Sequence, residues 1–315
     1  LSAASRDASD GIRLDSTRSL SCAAFAPDGR MGPVSTGIFI VGETTALPVV
    51  SLVADSSALF DSVTGVYMPG PLASSAFPYF GANFWHDQEI SAHVEFFEPG
   101  GARAFSADAG VGIFGNWSRA AAKKPLSVQF REKYGTRRID WPLFPQHPEF
   151  RRFKGFALRN NGGSSGSEYV RDALAATLVE GRDLENQLSR QVVVYINGRY
   201  WGIHDMRERL DADYFDTRFG IDASQLDLLK NAGEVQAGSA GGWNSMIDWL
   251  LGVDLADSAN YAKIKGMIDV DNQATYLASE IYYANDDWPA NNIRCWRRHT
   301  PATPWRMMLF DVDGG

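Results

Sequence analysis

Asn285-Asp286-Asp287-Trp288-Pro289-Ala290-Asn291-Asn292, followed after a short polar gap by Leu309-Phe310-Asp311-Val312-Asp313-Gly314, is the stretch on which the reading of the whole chain turns. Asp287 and Asn292 stand in a D-x-x-x-x-N spacing, and the apolar run that follows ends in an acidic pair. Phosphoryl transfer needs such a set: one carboxylate beside the attacking hydroxyl, with an amide oxygen and a second carboxylate holding the divalent ion that neutralises the phosphates. Mg²⁺ takes hard oxygen ligands, which Asn and Asp supply. Asp286 and Asn291 repeat the spacing; the Asp287–Asn292 register is preferred because the apolar Ile293 follows Asn292. A polar turn stopped by Pro289 would show the same letters. Met307-Met308-Leu309-Phe310 favours the chemical reading, because a buried strand there delivers Asp311 and Asp313 at its end, where carboxylates keep their hydration.

With 315 residues, 44% of them hydrophobic, the chain can form one large domain or a large domain with a small companion. A net charge of -8 argues against a nucleic-acid partner, because phosphate backbones demand clustered Lys and Arg. No run of roughly eighteen apolar residues appears, so no membrane span is expected. Cys22 and Cys295 lie far apart in no metal-spacing motif, so Cys295 reads as a buried structural thiol and no disulfide framework is expected. The chain starts without Met and stops beside the acidic pair; it reads as a fragment, truncated at its C-terminus.

Working back to the start, residues 1–14 are small and polar and read as a linker. Ser19–Phe25 and Thr36–Ile40 flank Pro27-Asp28-Gly29 as a hairpin, taken as the last strands of a preceding β-sandwich, so that residues 1–43 form a linker and tail. Pro48–Val53 is a buried strand, and Ile90, Ala92, Val94 and Phe96 mark one face of another that turns at Gly100-Gly101. Gly110-Val111-Gly112-Ile113-Phe114-Gly115 spells G-x-G-x-x-G, yet no helix follows, so the dinucleotide reading fails and a Gly-containing turn ahead of Lys123-Lys124 and the strand Leu126–Phe130 remains. In kinases such a loop covers phosphates and a strand lysine pairs with them; a surface hairpin with a solvated lysine pair has the same spacing.

Phe156–Arg159 reads as a short strand, and Asn160–Gly166 as a flexible loop before a helix capped by Ser167, with Val170, Leu174, Leu178 and Val179 on its apolar face. Glu168 or Asp172 in its first turns could orient Lys124, although the helix dipole alone favours acids there. Val192–Ile196, Asn197-Gly198 and Tyr200–Met206 form a hairpin with a type I′ turn. It leads to Arg207-Glu208-Arg209, where Glu208 faces either a nucleotide or metal, or an ion pair with its arginine neighbours. The remainder up to Asn285 reads as helical: Trp243, Met246, Ile247, Leu250 and Leu251 on one helix, Tyr261, Ile264 and Ile268 on a second, and a third capped by Asp269 or Asp271 with Ala274, Leu277, Ala278 and Ile281 inward.

The segments Leu47–Leu52, Gly115–Lys124, Arg131–Gly135, Leu158-Arg159-Asn160, Arg171-Asp172, Tyr195–Ile203, Arg207-Glu208, Asn285–Asn292 and Phe310–Asp313, in that order, resemble the spore coat protein H (CotH) kinase family. The resemblance covers residues 44–315. It implies an α+β, atypical protein-kinase-like two-lobed fold, with a β-rich N-lobe and a helical C-lobe. It further implies an enzyme that uses ATP and Mg²⁺ or Mn²⁺ to phosphorylate Ser or Thr of a protein substrate, in a family found in spore coats or at the cell exterior. By position, Asp287 would be the catalytic Asp, and Asn292 with Asp311 would bind metal, Asp313 assisting. Lys124 would contact the phosphates, with Ser118, Arg119 and Glu208 also on the nucleotide side.

A second reading from a different class is a secreted or surface binding module without chemistry, in which Asp287, Asn292, Asp311 and Asp313 hold a structural Ca²⁺. Transfer of the nucleotidyl rather than the γ-phosphoryl group would use the same charges.

Overall fold

A computed structural model describes residues 5–160, 170–231 and 233–313. In chain order its elements are β1 (Arg18–Cys22), β2 (Ser35–Phe39), β3 (Val49–Ala54), α1 (Ser56–Phe60), β4 (Glu89–Phe97), β5 (Arg103–Ile113), β6 (Leu126–Gln129), β7 (Ile139–Asp140), β8 (Arg152–Phe153) and β9 (Gly155–Arg159). They continue with α2 (Arg171–Leu178), β10 (Ser189–Ile196), β11 (Arg199–Arg207), α3 (Ala212–Phe219), β12 (Leu226–Lys230), β13 (Glu234–Ala237), α4 (Gly241–Leu250), α5 (Ser258–Lys265), α6 (Val270–Tyr282), β14 (Arg294–Arg298) and β15 (Arg306–Met308). Two compact units result: Leu1–Trp141 with Lys154–Asn160 and Arg190–Met206, and Pro142–Phe153 with Asn161–Ser189 and Arg207–Gly315. Among the described residues no helix is long and apolar enough to cross a membrane.

The first unit is a closed barrel in the order β10-β11-β9-β6-β5-β4-β3. Parallel pairing of β10 with β3, from Val193 opposite Val49 to Ile196 opposite Leu52, closes it. Period-two alternation fills its core: Val50, Leu52, Val94, Phe96, Val128, Phe156, Leu158, Val194 and Ile196 are all buried. The expected face of β4 holds, with Ala92, Val94 and Phe96 inside. Asn197 and Gly198 turn β10 into β11 with φ of 51° and 74°, as a type I′ turn requires. β1 and β2 form the expected hairpin. It packs on the barrel through Ile38, whose N–H donates to the Glu95 carboxylate at 2.6 Å and whose side chain joins Val49, Val193 and Tyr195.

One turn was misplaced. Gly110 and Gly112 lie inside β5, opposite Gln129 and Ser127 of β6, and only Gly115 (φ 90°) sits in the turn. Close approach explains the strand glycines: a Cβ on Gly110 would come within 2.3 Å of the Glu89 side chain, and one on Gly112 within 2.7 Å of the Gln88 carbonyl.

The second unit is not simply helical. A four-stranded antiparallel sheet, β13-β12-β14-β15, runs through it. Arg-Cys-Trp-Arg-Arg hid β14 because it reads as polar, yet Cys295 and Trp296 are buried while Arg297 donates to Asp227 at 2.9 Å and lays its guanidinium over Trp305. Mixed α and β content agrees with the expectation; the closed barrel and this sheet do not follow from it.

Two helix faces are also corrected. On α2, Val170, Leu174 and Leu178 are about half exposed, and Ala175, Ala176 and the flanking Val179 are inside; the expected cap Ser167 and first-turn Glu168 lie outside the described residues. On α6, Asn272, Tyr276, Ser279 and Glu280 face inward while Ile281 is 69% exposed. The polar face wins because Asn272 behaves as a piece of strand. Its amide accepts from Met307 N–H at 2.6 Å and donates to Met307 O at 3.3 Å and Asp183 O at 3.0 Å. Asp269, not Asp271, caps this helix by accepting from Asn272 N–H.

Asn272→Ala strands the buried Met307 N–H and should destabilise the second unit by about 1–3 kcal/mol in denaturant unfolding, the cost of one buried unsatisfied donor.

Candidate active site

The acidic stretch of the second unit is organised by amides. After α6 the chain reverses at Ala284 (φ 52°), and the buried Asn285 donates to Glu280 Oε2 at 2.9 Å while its Oδ1 accepts from Asp287 N–H at 3.3 Å. Asn292, also buried, donates through Nδ2 to Asp287 Oδ2 at 3.0 Å and to the Asp311 carbonyl at 3.1 Å. Asn291 reaches the same Asp287 oxygen at 3.3 Å. Asp287, Asn292 and the backbone of Asp311 therefore meet, although nineteen residues separate the last two.

Asn292 and Asp311 both have φ of 59°, the left-handed region that non-glycine residues adopt at a cost. The surrounding bonds maintain it. Beyond Asp311, Val312 N–H donates to Asp172 Oδ1 at 3.1 Å, and Arg171 Nη1 reaches the Asp313 carbonyl at 3.4 Å. Arg294, over the Phe310 ring, has its pKa pushed down to about 10 by burial, so it remains a cation whose charge acts on Asp311.

This donor set suits a hard divalent ion. With the Asn292 NH₂ engaged by the Asp287 carboxylate and the Asp311 carbonyl, its Oδ1 is left as the acceptor end, and Asp287, Asp311 and Asp313 are of the residue type that would supply carboxylate oxygens. Among the described residues no group of three His, Cys, Asp or Glu side chains is gathered tightly enough to hold a metal alone. Mg²⁺ commonly takes one or two carboxylates and draws its remaining ligands from phosphates and water, so the set fits it better than an all-protein cage.

In the first unit Lys124 is buried rather than solvated: Nζ donates to Arg119 O at 2.8 Å and Ala121 O at 3.1 Å and lies 3.5 Å from the centre of the Phe84 ring. Burial lowers its pKa to about 8, while the carbonyls and the ring face favour the cation, so it is charged at neutral pH. The alternative of a solvated lysine pair therefore does not hold. Lys123 is tied to Ile203 O at 2.7 Å. Asn160 donates to Ser118 O and Lys123 O, fastening both ends of the loop.

Arg119 and Glu208 have framework partners. The Arg119 guanidinium donates to Gly115 O at 2.6 Å and Trp85 O at 3.0 Å, bracing two loops. Glu208, expected to face a nucleotide, a metal or its arginine neighbours, is buried in the second unit against Arg218, with Nε–Oε1 at 3.2 Å and Nη2–Oε2 at 2.5 Å. Its pKa is raised because desolvation outweighs the arginine. Arg218 lies ten residues further on, a separation that adjacent-residue reasoning does not search. Asn285 and His204 were not assigned to the site from sequence, although Asn285 lies inside the quoted stretch; Asp172, read there as a first-turn acid able to orient a lysine, accepts from Val312 N–H and Arg207.

The family model described as CotH kinase protein matches residues 111–315. No curated protein matches the chain.

His204, fully buried beneath the lysine loop, places Nε2 3.3 Å from Lys124 O, and Nδ1 has no hydrogen-bond partner among the described residues. Burial, aided by Lys123, lowers its pKa from 6.5 to about 4. The unfolded chain then binds a proton that the folded one refuses, so stability falls as pH drops from about 6.5 toward about 4. Unfolding of wild type and His204→Gln across this window should show that gap narrowing in favour of the variant as pH falls.

Proposed function

The chain belongs to the CotH kinase family, and on that premise we propose that it transfers the γ-phosphoryl group of ATP to a Ser or Thr hydroxyl of a protein substrate. The observation that carries the reading is the convergence of Asp287, Asn292 and the Asp311 backbone on one amide. Asp287 orients the acceptor hydroxyl and receives its proton as the oxygen attacks the γ-phosphorus and the bond to the β,γ-bridging oxygen breaks, releasing ADP. Asn292 fixes that carboxylate. A bound Mg²⁺ or Mn²⁺, held by Asn292 and Asp311 with Asp313 assisting, would neutralise phosphate charge. Within the β-rich unit, Lys124 is the proposed phosphate-binding cation, which would exchange the Arg119 and Ala121 carbonyls for phosphate oxygens. Ser118 belongs to the same loop. Arg119 and Glu208 act through the framework.

The test is incubation with protein acceptors, Mg²⁺ or Mn²⁺, and ATP labelled at either the α or the γ position. Label from the γ position should appear on Ser or Thr, and Asp287→Ala should lower its rate by about 10² or more, the usual contribution of a positioned acid–base group. Label from the α position would replace phosphoryl with nucleotidyl transfer. Stabilisation by Ca²⁺ with no label transferred would point to the binding module.

A further inference from the structure

The acidic pair is held from outside the acidic stretch. Of its three residues, Val312 is buried and offers its backbone N–H between the two side chains that the proposed function assigns to the metal, and that N–H ends on Asp172 Oδ1 at 3.1 Å. The other oxygen of Asp172 accepts from Arg207 Nη2 at 3.0 Å, and Arg207 is 1% exposed. Asp172 stands in the first turn of α2, and the preceding residue, Arg171, reaches the Asp313 carbonyl at 3.4 Å. The start of one helix thus grips the backbone at two successive residues beyond Asp311, whose positive φ (59°) is the part of this segment that needs outside restraint.

We propose that Asp172, braced by Arg207, is the positioning residue that sets the direction of the Asp311 and Asp313 carboxylates for a divalent ion. The inference rests on the metal reading above but concerns a residue that touches neither ion nor substrate. Restraint of ligand orientation from behind commonly changes metal affinity by 10- to 100-fold. Loss of the carboxylate frees the Val312 N–H and lets Asp311 relax to negative φ, which swings its side chain away from the direction fixed by the Asn292 bond to its carbonyl. Asp172→Asn separates the two tasks: an amide oxygen can still accept from Val312 N–H, whereas the charge opposite Arg207 is gone.

Mn²⁺ binding in the presence of ATP, followed through the electron paramagnetic resonance signal of free Mn²⁺, reads this directly without turnover. Asp172→Ala should weaken binding about tenfold, and Asp172→Asn should recover a substantial part of the loss. Asp227→Ala, which removes the partner of Arg297 in the sheet of the same unit and has no bond to Asn292, Asp311 or Asp172 among the described contacts, controls for destabilisation and should bind as wild type does. Asp172→Ala binding within twofold of wild type would overturn the inference and leave the metal reading intact; so would equal losses in Asp172→Ala and Asp227→Ala. Absence of Mn²⁺ binding by the wild type would overturn the metal reading and this inference with it.

Discussion

A single carboxamide, that of Asn292, holds the acidic centre together. Its NH₂ satisfies the Asp287 carboxylate and the Asp311 carbonyl at once, and it does so from a buried residue in the left-handed region. A buried donor with two acceptors is fully spent, so the amide has one orientation in which no hydrogen is wasted. That orientation ties the loop after α6 to the segment after β15. Without it, the two carboxylate-bearing segments would lose their direct bond, and the backbone conformations at Asn292 and Asp311 would lack their compensation.

Most buried charge is paired: Glu208 with Arg218 and Asp172 with Arg207 in the second unit, Glu95 with Arg103 in the first. The Lys124 ammonium of the first unit is held by neutral groups: two carbonyls and an aromatic face. A cation satisfied by dipoles rather than by a counter-ion keeps its net charge, whereas one paired to Asp or Glu has its charge already cancelled. The distinction supports Lys124, more than Arg218 or Arg207, as a residue suited to meeting an anion.

Strands with strict alternation and turns with Asn-Gly were legible in the sequence, because β4, β10 and β11 obey local rules. The meeting of Asp287 with Asn292 was legible because their spacing matches a chemical need. Barrel closure was not, since the parallel pairing of β3 with β10 joins residues more than a hundred positions apart and no local signal encodes it. β14 escaped notice because arginine side chains bury their stems and pair their heads, so a half-buried strand reads as polar. The inward faces of α2 and α6 were misjudged for the opposite reason. Periodicity finds apolar stripes, and these helices pack through alanines and through Asn272, Tyr276 and Glu280.

That polar edge of α6 gives the helix a metrical duty. At one end Asn272 is bonded to Met307 of β15, the strand that leads to Asp311; at the other, Glu280 is bonded to Asn285, which receives the N–H of Asp287. The intervening two turns act as a ruler between the acidic segments. Adding or removing a single residue there would rotate one end by about 100° and shift it by about 1.5 Å relative to the other. The interval from Asn272 to Glu280 therefore tolerates exchange of its outward side chains far better than any change in its length.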